Sequence, residues 1–224
     1  MNVLVTGGSG FIGSHLVEAL LASGHVVYVL DNHETSCRDT IVELGDVMHV
    51  DGSISDEGVV RDAFDACSPE VVVHCAASYK DPEAWYEDIQ TNVVGSVNIA
   101  KAARDTKVSR LIYLQTALCY GNHPQASPVP QNHLYWPESS YAISKSAGEQ
   151  YLILSGVDTL CFRLANVYGP RNLSGPVPTF YKRLTEKKAC FATKTKRDFL
   201  FVGDMIEVLS KATGGVGGPG FYNI

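Results

Sequence analysis

A glycine-rich turn set between an apolar run and an amphipathic one constrains this chain most. Asn2–Thr6 reads NVLVT, a strand, and Gly13–Ser23 (GSHLVEALLAS) carries Leu16, Ala19 and Leu20 at helical spacing before Gly24 stops it. Between them lies Gly7-Gly-Ser-Gly10-Phe11-Ile12-Gly13. In such a strand–turn–helix unit the first glycine permits the tight turn and the second lets backbone approach a pyrophosphate. The third lets helix and strand pack closely, while the helix N-terminus presents oriented N–H donors. The next strand, Val26–Leu30, leads to Asp31, 18 residues after Gly13. A carboxylate there accepts hydrogen bonds from adenosine ribose hydroxyls and repels a 2′-phosphate, which points to NAD over NADP.

The same alternation continues. Val47–Val50, Val71–His74, Leu111–Gln115 and Thr159–Leu164 read as strands, and Asp56–Cys67, Asp88–Thr106 and Tyr141–Ser155 as helices. Strands alternating with helices of this length imply βαβ units, hence an α/β, Rossmann-type, doubly wound parallel sheet. The expected division is an NAD-binding domain over residues 1–164 and a smaller, partial substrate-binding region over 165–224. The Pro-rich, polar stretch Gly121–Pro137 is expected to be a surface loop.

Composition narrows the function classes. The chain has 224 residues and a net charge of −6, the wrong balance for nonspecific nucleic-acid binding. Its apolar runs are strand-sized, far short of the roughly 18 residues of a membrane helix. It opens directly into a strand, so no signal peptide is expected. The six cysteines form no C-x-x-C pair and none has zinc-ligand spacing with a histidine. A reduced, cytoplasmic setting without disulfides or metal is expected. Charge is uneven: Lys182–Arg197 holds seven Lys or Arg against one acid.

Tyr141-Ala-Ile-Ser-Lys145 sets a phenol and an ammonium at i and i+4 on one helix face. A free tyrosine, with a pKa of about 10, is a poor base at neutral pH. A neighbouring Lys⁺, with the positive nicotinamide of NAD⁺, would stabilise phenolate and lower that value. Y-x-x-x-K alone is common by chance. Here it follows a dinucleotide turn and a hydroxyl, Thr116, at the end of a middle strand.

Taken together, these stretches resemble the extended short-chain dehydrogenase/reductases, in their nucleotide-sugar epimerase/dehydratase branch. The matching wording includes Thr6–Gly13, Asp31-Asn32, His74-Cys-Ala-Ala77, Thr91–Gly95, Gln115–Gly121, Tyr141–Lys145, Arg163–Pro170 and Arg197–Val202. The resemblance covers essentially the whole chain and is nearest to bacterial epimerases of polysaccharide loci. It implies that Tyr141 is the acid/base on a sugar hydroxyl, that Thr116 hydrogen-bonds the same hydroxyl, and that Lys145 binds the nicotinamide ribose. It places Asn32, Ala76, Ala77 and Lys80 along the cofactor groove, with Ser53 and Ile54 at its adenine end. Many relatives carry Asp at the position of Ser53. Asn92 would hold active-site backbone or a water, and Asn166 and Arg197 the diphosphate of a nucleotide sugar, which the resemblance implies is UDP-linked.

Where other members of the branch carry an extra acid/base just after the threonine, this chain has Ala117 and Leu118, which cannot move a proton. Cys119 comes one residue later, where strand alternation would turn it to the other face. Hydride removal and return at one carbon, a 4-epimerisation, is then the simplest expected reaction, with a dehydratase, a decarboxylase or an inert NAD-binding fragment as alternatives. Relatives continue beyond a Tyr-Asn-Ile-like strand, so the chain reads as a shortened form. A homodimer is expected through helices Asp88–Thr106 and Tyr141–Ser155, which carry Val94, Ile143, Leu152 and Leu154 beyond a single sheet-facing stripe.

Overall fold

A computed structural model describes residues 1–36, 47–79, 81–191 and 194–224. Lys80, expected in the cofactor groove, lies outside the described residues. Among the described residues, seven strands form one parallel sheet in the order β3-β2-β1-β4-β5-β6-β9. They are β1 (Asn2–Thr6), β2 (Val26–Asp31), β3 (Met48–Asp51), β4 (Val71–His74), β5 (Arg110–Thr116), β6 (Thr159–Leu164) and β9 (Gly220–Asn223). A separate pair joins β7 (Asn166–Tyr168) to β8 (Phe199–Phe201). The helices are α1 (Phe11–Ala22), α2 (Glu57–Cys67), α3 (Trp85–Asp88), α4 (Gly95–Asp105), α5 (Ser140–Leu154), α6 (Pro176–Thr185) and α7 (Val202–Thr213).

The strand period of two sorts the core into two layers. Val3, Val5, Val27, Val29, Val71 and Val73 face a cluster containing Leu16, Leu20, Met205 and Leu209 from α1 and α7. Leu4, Leu30, Val72, Leu111 and Tyr113 face the other, with Phe64, Ile99 and Leu152 from α2, α4 and α5. A sheet covered on both faces explains the near-continuous apolar strands. The strand order reverses between β1 and β4, the switch point at which open α/β sheets bind ligands beyond the strands' C-terminal ends.

Several expectations shift in detail. Asp56 is the N-cap of α2, accepting from the amides of Gly58 (2.8 Å) and Val59 (3.2 Å). The single helix expected over Asp88–Thr106 is α3, a π-helical stretch Ile89–Val94, and α4. Strand alternation does not reach Cys119, because β5 ends at Thr116 and Ala117–Tyr120 is a 3-10 turn capped by the Thr116 hydroxyl. Cys119 is nonetheless sealed, and burial pushes its thiol up to about 12. Leu152, expected on an outer helix face, is fully buried in the core.

The division expected at residue 164/165 does not coincide with a break in packing. β9 pairs with β6 in the main sheet, and α7 supplies Val202, Met205 and Leu209 to its core. The last residue continues that edge: the Ile224 amide donates to Arg163 O (3.1 Å) and its carbonyl accepts from Ala165 N (2.8 Å).

Candidate active site

The C-terminal ends of β1, β2, β4, β5 and β6 open into one cavity of about 1080 Å³. Its floor at β1 is the glycine turn, where Gly7, Gly10, Phe11, Ile12 and Gly13 all line the space. Gly7 sits at φ +66°, and a Cβ on Gly13 would stand 2.2 Å from Gly7 O and 2.8 Å from Gly8 Cα. No side chain larger than hydrogen fits there, so the first turn of α1 lies directly against the β1 turn. Gly10 caps α1 without a side-chain bond, and the buried Ser9 hydroxyl has no hydrogen-bond partner among the described residues. That donor set suits an anionic pyrophosphate.

Asp31 lines the cavity and is 8% exposed. Its Oδ2 accepts from Ser9 N (2.9 Å), and its Oδ1 accepts from His33 N (2.8 Å) and Ser36 Oγ (3.1 Å). A carboxylate has about four acceptor positions, so beside the three donors among the described residues there is capacity for one more. Asn32, Ser53, Ile54, Ala76 and Ala77 line the same end. The residues present therefore fit a dinucleotide laid along this groove.

At the β5 end, Thr116, Tyr141 and Lys145 line the cavity together. Thr116 Oγ1 accepts from Leu118 N (3.2 Å), which leaves its proton free to donate. Ser139 caps α5, accepting from Ala142 N (3.2 Å), so the helix starts just ahead of Tyr141. Burial holds the Tyr141 phenol above its ordinary range, and Tyr79 and Asp88 push the same way. Burial also lowers Lys145 to about 7. The lowering of Tyr141 expected from Lys145 is thus not a property of the protein alone, because withdrawal of the phenol from water dominates.

Asn92 does not line the cavity; it braces it from behind. Its Oδ1 accepts from Ser78 N (2.9 Å), and its Nδ2 donates to Ser78 O (2.9 Å) and Ser144 Oγ (3.0 Å). The loop after β4 is thereby tied to the helix that carries Tyr141. The π-helical stretch has Asn92 as its buried residue, and such stretches are frequent at functional sites. Asn166 lines the cavity, whereas exposed Arg197 reaches it only indirectly, donating to Asn166 Oδ1 at 3.4 Å.

Sequence reasoning missed several cavity residues, among them Tyr79, Arg171 and Gln115. Tyr79 meets Tyr141 edge-on, ring centroids 6.5 Å apart. Arg171 pairs with Glu18 and donates to Ser14 Oγ (3.2 Å), bringing the loop after β7 onto α1. Gln115 is 2% exposed, and its Oε1 accepts from Thr116 N (2.7 Å). Only Gln115 left a trace in the sequence, as a lone amide beside the strand-end hydroxyl.

With that geometry in hand, comparison with known proteins is specific. Residues 3–224 match the family described as NAD dependent epimerase/dehydratase. The crystal structure of the Bordetella bronchiseptica enzyme WbmH in complex with NAD⁺ superposes with a TM-score of 0.96 at 49% identity, covering 100% of this chain and 74% of that one. UDP-glucose 4-epimerase of Mycolicibacterium smegmatis is 34% identical over 250 residues, covering 100% of this chain and 77% of the relative. UDP-N-acetyl-alpha-D-glucosaminuronate decarboxylase of Bacillus cytotoxicus is 32% identical over 222 residues, covering 91% and 68%.

Proposed function

We propose, for a chain that belongs to the NAD dependent epimerase/dehydratase family, that it is an NAD-dependent nucleotide-sugar epimerase acting at C4 of a UDP-hexose derivative. The observation that carries this reading is the meeting of Thr116, Tyr141 and Lys145 in the cavity whose other end is the glycine turn and Asp31. NAD, when bound, supplies the hydride acceptor and donor. Tyr141 takes the proton of the sugar hydroxyl as its carbon is oxidised and returns it on reduction. Thr116 donates to the same oxygen and holds it in place. Lys145 binds the nicotinamide ribose, and its charge favours phenolate at Tyr141. Asn166 and Arg197 meet the diphosphate, and residues 165–168, residues 171–177 and Phe199 form the substrate side of the cavity.

The decarboxylase relative keeps a second reading in view. Against it stand Ala117 and Leu118, which open the 3-10 turn after Thr116 and carry no proton. A C4 epimerase needs no carrier there. We also propose a homodimer through the helical stretches Asp88–Thr106 and Tyr141–Ser155, where Ile89, Ile143 and Leu154 are exposed apolar side chains and Val94 is half-buried.

The test is incubation with NAD⁺ and a panel of UDP- and dTDP-sugars, read by NMR and mass spectrometry. Epimerisation leaves the mass unchanged and inverts the C4 proton coupling. Loss of water or of carbon dioxide would replace this reading with one of the other reactions of the branch.

A further inference from the structure

We propose that Tyr113 is a positioning residue for Lys145, its ring face holding the ammonium in place beneath the reacting end of the cavity. The assignment builds on the role given above to Lys145.

Lys145 Nζ stands 4.0 Å from the centroid of the Tyr113 ring. Lys145 is 1% exposed and Tyr113 is fully buried. The ring is gripped at its far end as well, because its hydroxyl donates to Lys145 O at 3.1 Å. One lysine thus meets one tyrosine twice, backbone to hydroxyl and ammonium to ring face. An ordinary core aromatic satisfies its hydroxyl somewhere, but it does not place a buried cation over its face.

A second ring backs the first. His74 lies 5.3 Å from Tyr113, tilted by 37°. His74 Nδ1 bonds Thr6 Oγ1 (2.7 Å) and its Nε2 bonds Ser96 Oγ (3.1 Å). Ser96 spends its own proton on Asn92 O (2.7 Å), so Nε2 donates to Ser96 Oγ, and a neutral ring accepts the Thr6 hydroxyl proton at Nδ1. Burial and the nearby Lys145 hold it so. The stack His74–Tyr113–Lys145 therefore carries a single charge.

That neutrality gives the arrangement its use. The groups facing Lys145 are Cys75 just after β4, Cys161 on β6 and Glu149 on α5. Glu149 is already paired with Arg163 at 3.2 Å. A carboxylate placed against the ammonium would stabilise it but cancel its field. An aromatic face stabilises the cation and leaves the full charge for Tyr141 and a ribose. It also limits the ammonium to one spot on a flexible four-carbon stem.

Titration of the Lys145 side chain by carbon NMR tests this, with the signal identified by its loss in Lys145→Arg. In the unaltered protein the midpoint is expected near 7. Tyr113→Phe keeps the face and should leave the midpoint in place. Tyr113→Leu, and a trifluorinated phenylalanine at the same position, should lower it by about half to one pH unit, because either change weakens the stabilisation of the charged form. The fluorinated ring keeps the shape, so it decides the matter if Tyr113→Leu fails to fold. In an active preparation the alkaline limb of kcat/KM should move down by the same amount. Equal midpoints in all variants would overturn the inference. A shifted midpoint without turnover on any nucleotide sugar would overturn the proposed function and leave this inference standing. Loss of turnover in Tyr141→Phe with unmoved midpoints would do the reverse.

Discussion

Glu149 on α5 and Arg163 on β6 form an ion pair 3.2 Å apart, with side chains 0% and 1% exposed. The guanidinium also donates to Tyr120 Oη (2.7 Å) and Gln131 O (3.0 Å), bonds Tyr135, and lies over the Phe221 ring. Through one side chain the segment before α5 and the edge strand β9 are fastened to β6, the strand beside that edge. Arg163 is also two residues from Ala165, where the substrate side begins.

Removing one partner strands the other charge without solvent. Glu149→Leu is expected to cost about 3–5 kcal/mol in denaturant unfolding, and Glu149→Leu with Arg163→Met much less than the sum of the single changes. Additive costs in a double-mutant cycle would show that the two charges are not coupled.

Tyr141→Phe should lower turnover by at least the roughly 10²–10⁴-fold of general acid–base catalysis while leaving the melting temperature and NAD binding nearly unchanged. Thr116→Ala should cost less, since it removes a hydrogen bond and not the proton carrier. Retention of more than about a tenth of the original turnover by Tyr141→Phe, against that range, would remove Tyr141 from the role.

Gly13→Ala places a methyl group 2.2 Å from Gly7 O, against backbone that has no side chain to swing away. We expect a loss of at least about 2 kcal/mol, or roughly 4–8 °C in Tm for a chain of this length. NAD affinity should fall with it, because the turn must open. Unchanged melting and unchanged NAD titration would contradict the close approach of α1 to the turn.

Lys145 links stability to pH. Burial lowers its folded-state pKa to about 7, while the unfolded value is about 10.4. Between those values the unfolded chain binds more protons, so this residue's contribution to stability rises with pH across the window and is least favourable below about 7. Lys145→Met should therefore melt above the unaltered protein at pH 6, and the gap should narrow as pH approaches 10. A gap independent of pH would show that Lys145 is not buried as a cation.

Much of this architecture is readable from short-range pattern. The alternation of Val3, Leu4 and Val5, the turn Gly7–Gly13 and the pair Tyr141/Lys145 are local signals, and the sheet and cavity assemble as they imply. What escaped is set by distant partners. The π-helical stretch exists where Asn92 reaches both Ser78 and Ser144, and nothing in its neighbours' propensities announces that. Helix α6 has no buried residue, so it lacks the core-facing stripe that periodicity detects. β7 and β8 are three residues each, too short for alternation to register. Arg163 did leave a mark, a lone cation inside the apolar run TLCFRL, but its partner lies on a different element.

The bonds around Asp31 bear on any attempt to retarget the coenzyme. The usual recipe replaces such an acid with a small or basic residue to admit a phosphorylated ribose. Here the same carboxylate also receives the amides of Ser9 and His33, and His33 is held at φ +57°. Exchanging it would loosen the phosphate cradle along with the sugar contact. Selectivity and cradle rigidity are wired through one side chain, so a phosphate-tolerant variant needs a second substitution that supplies new acceptors for those two amides.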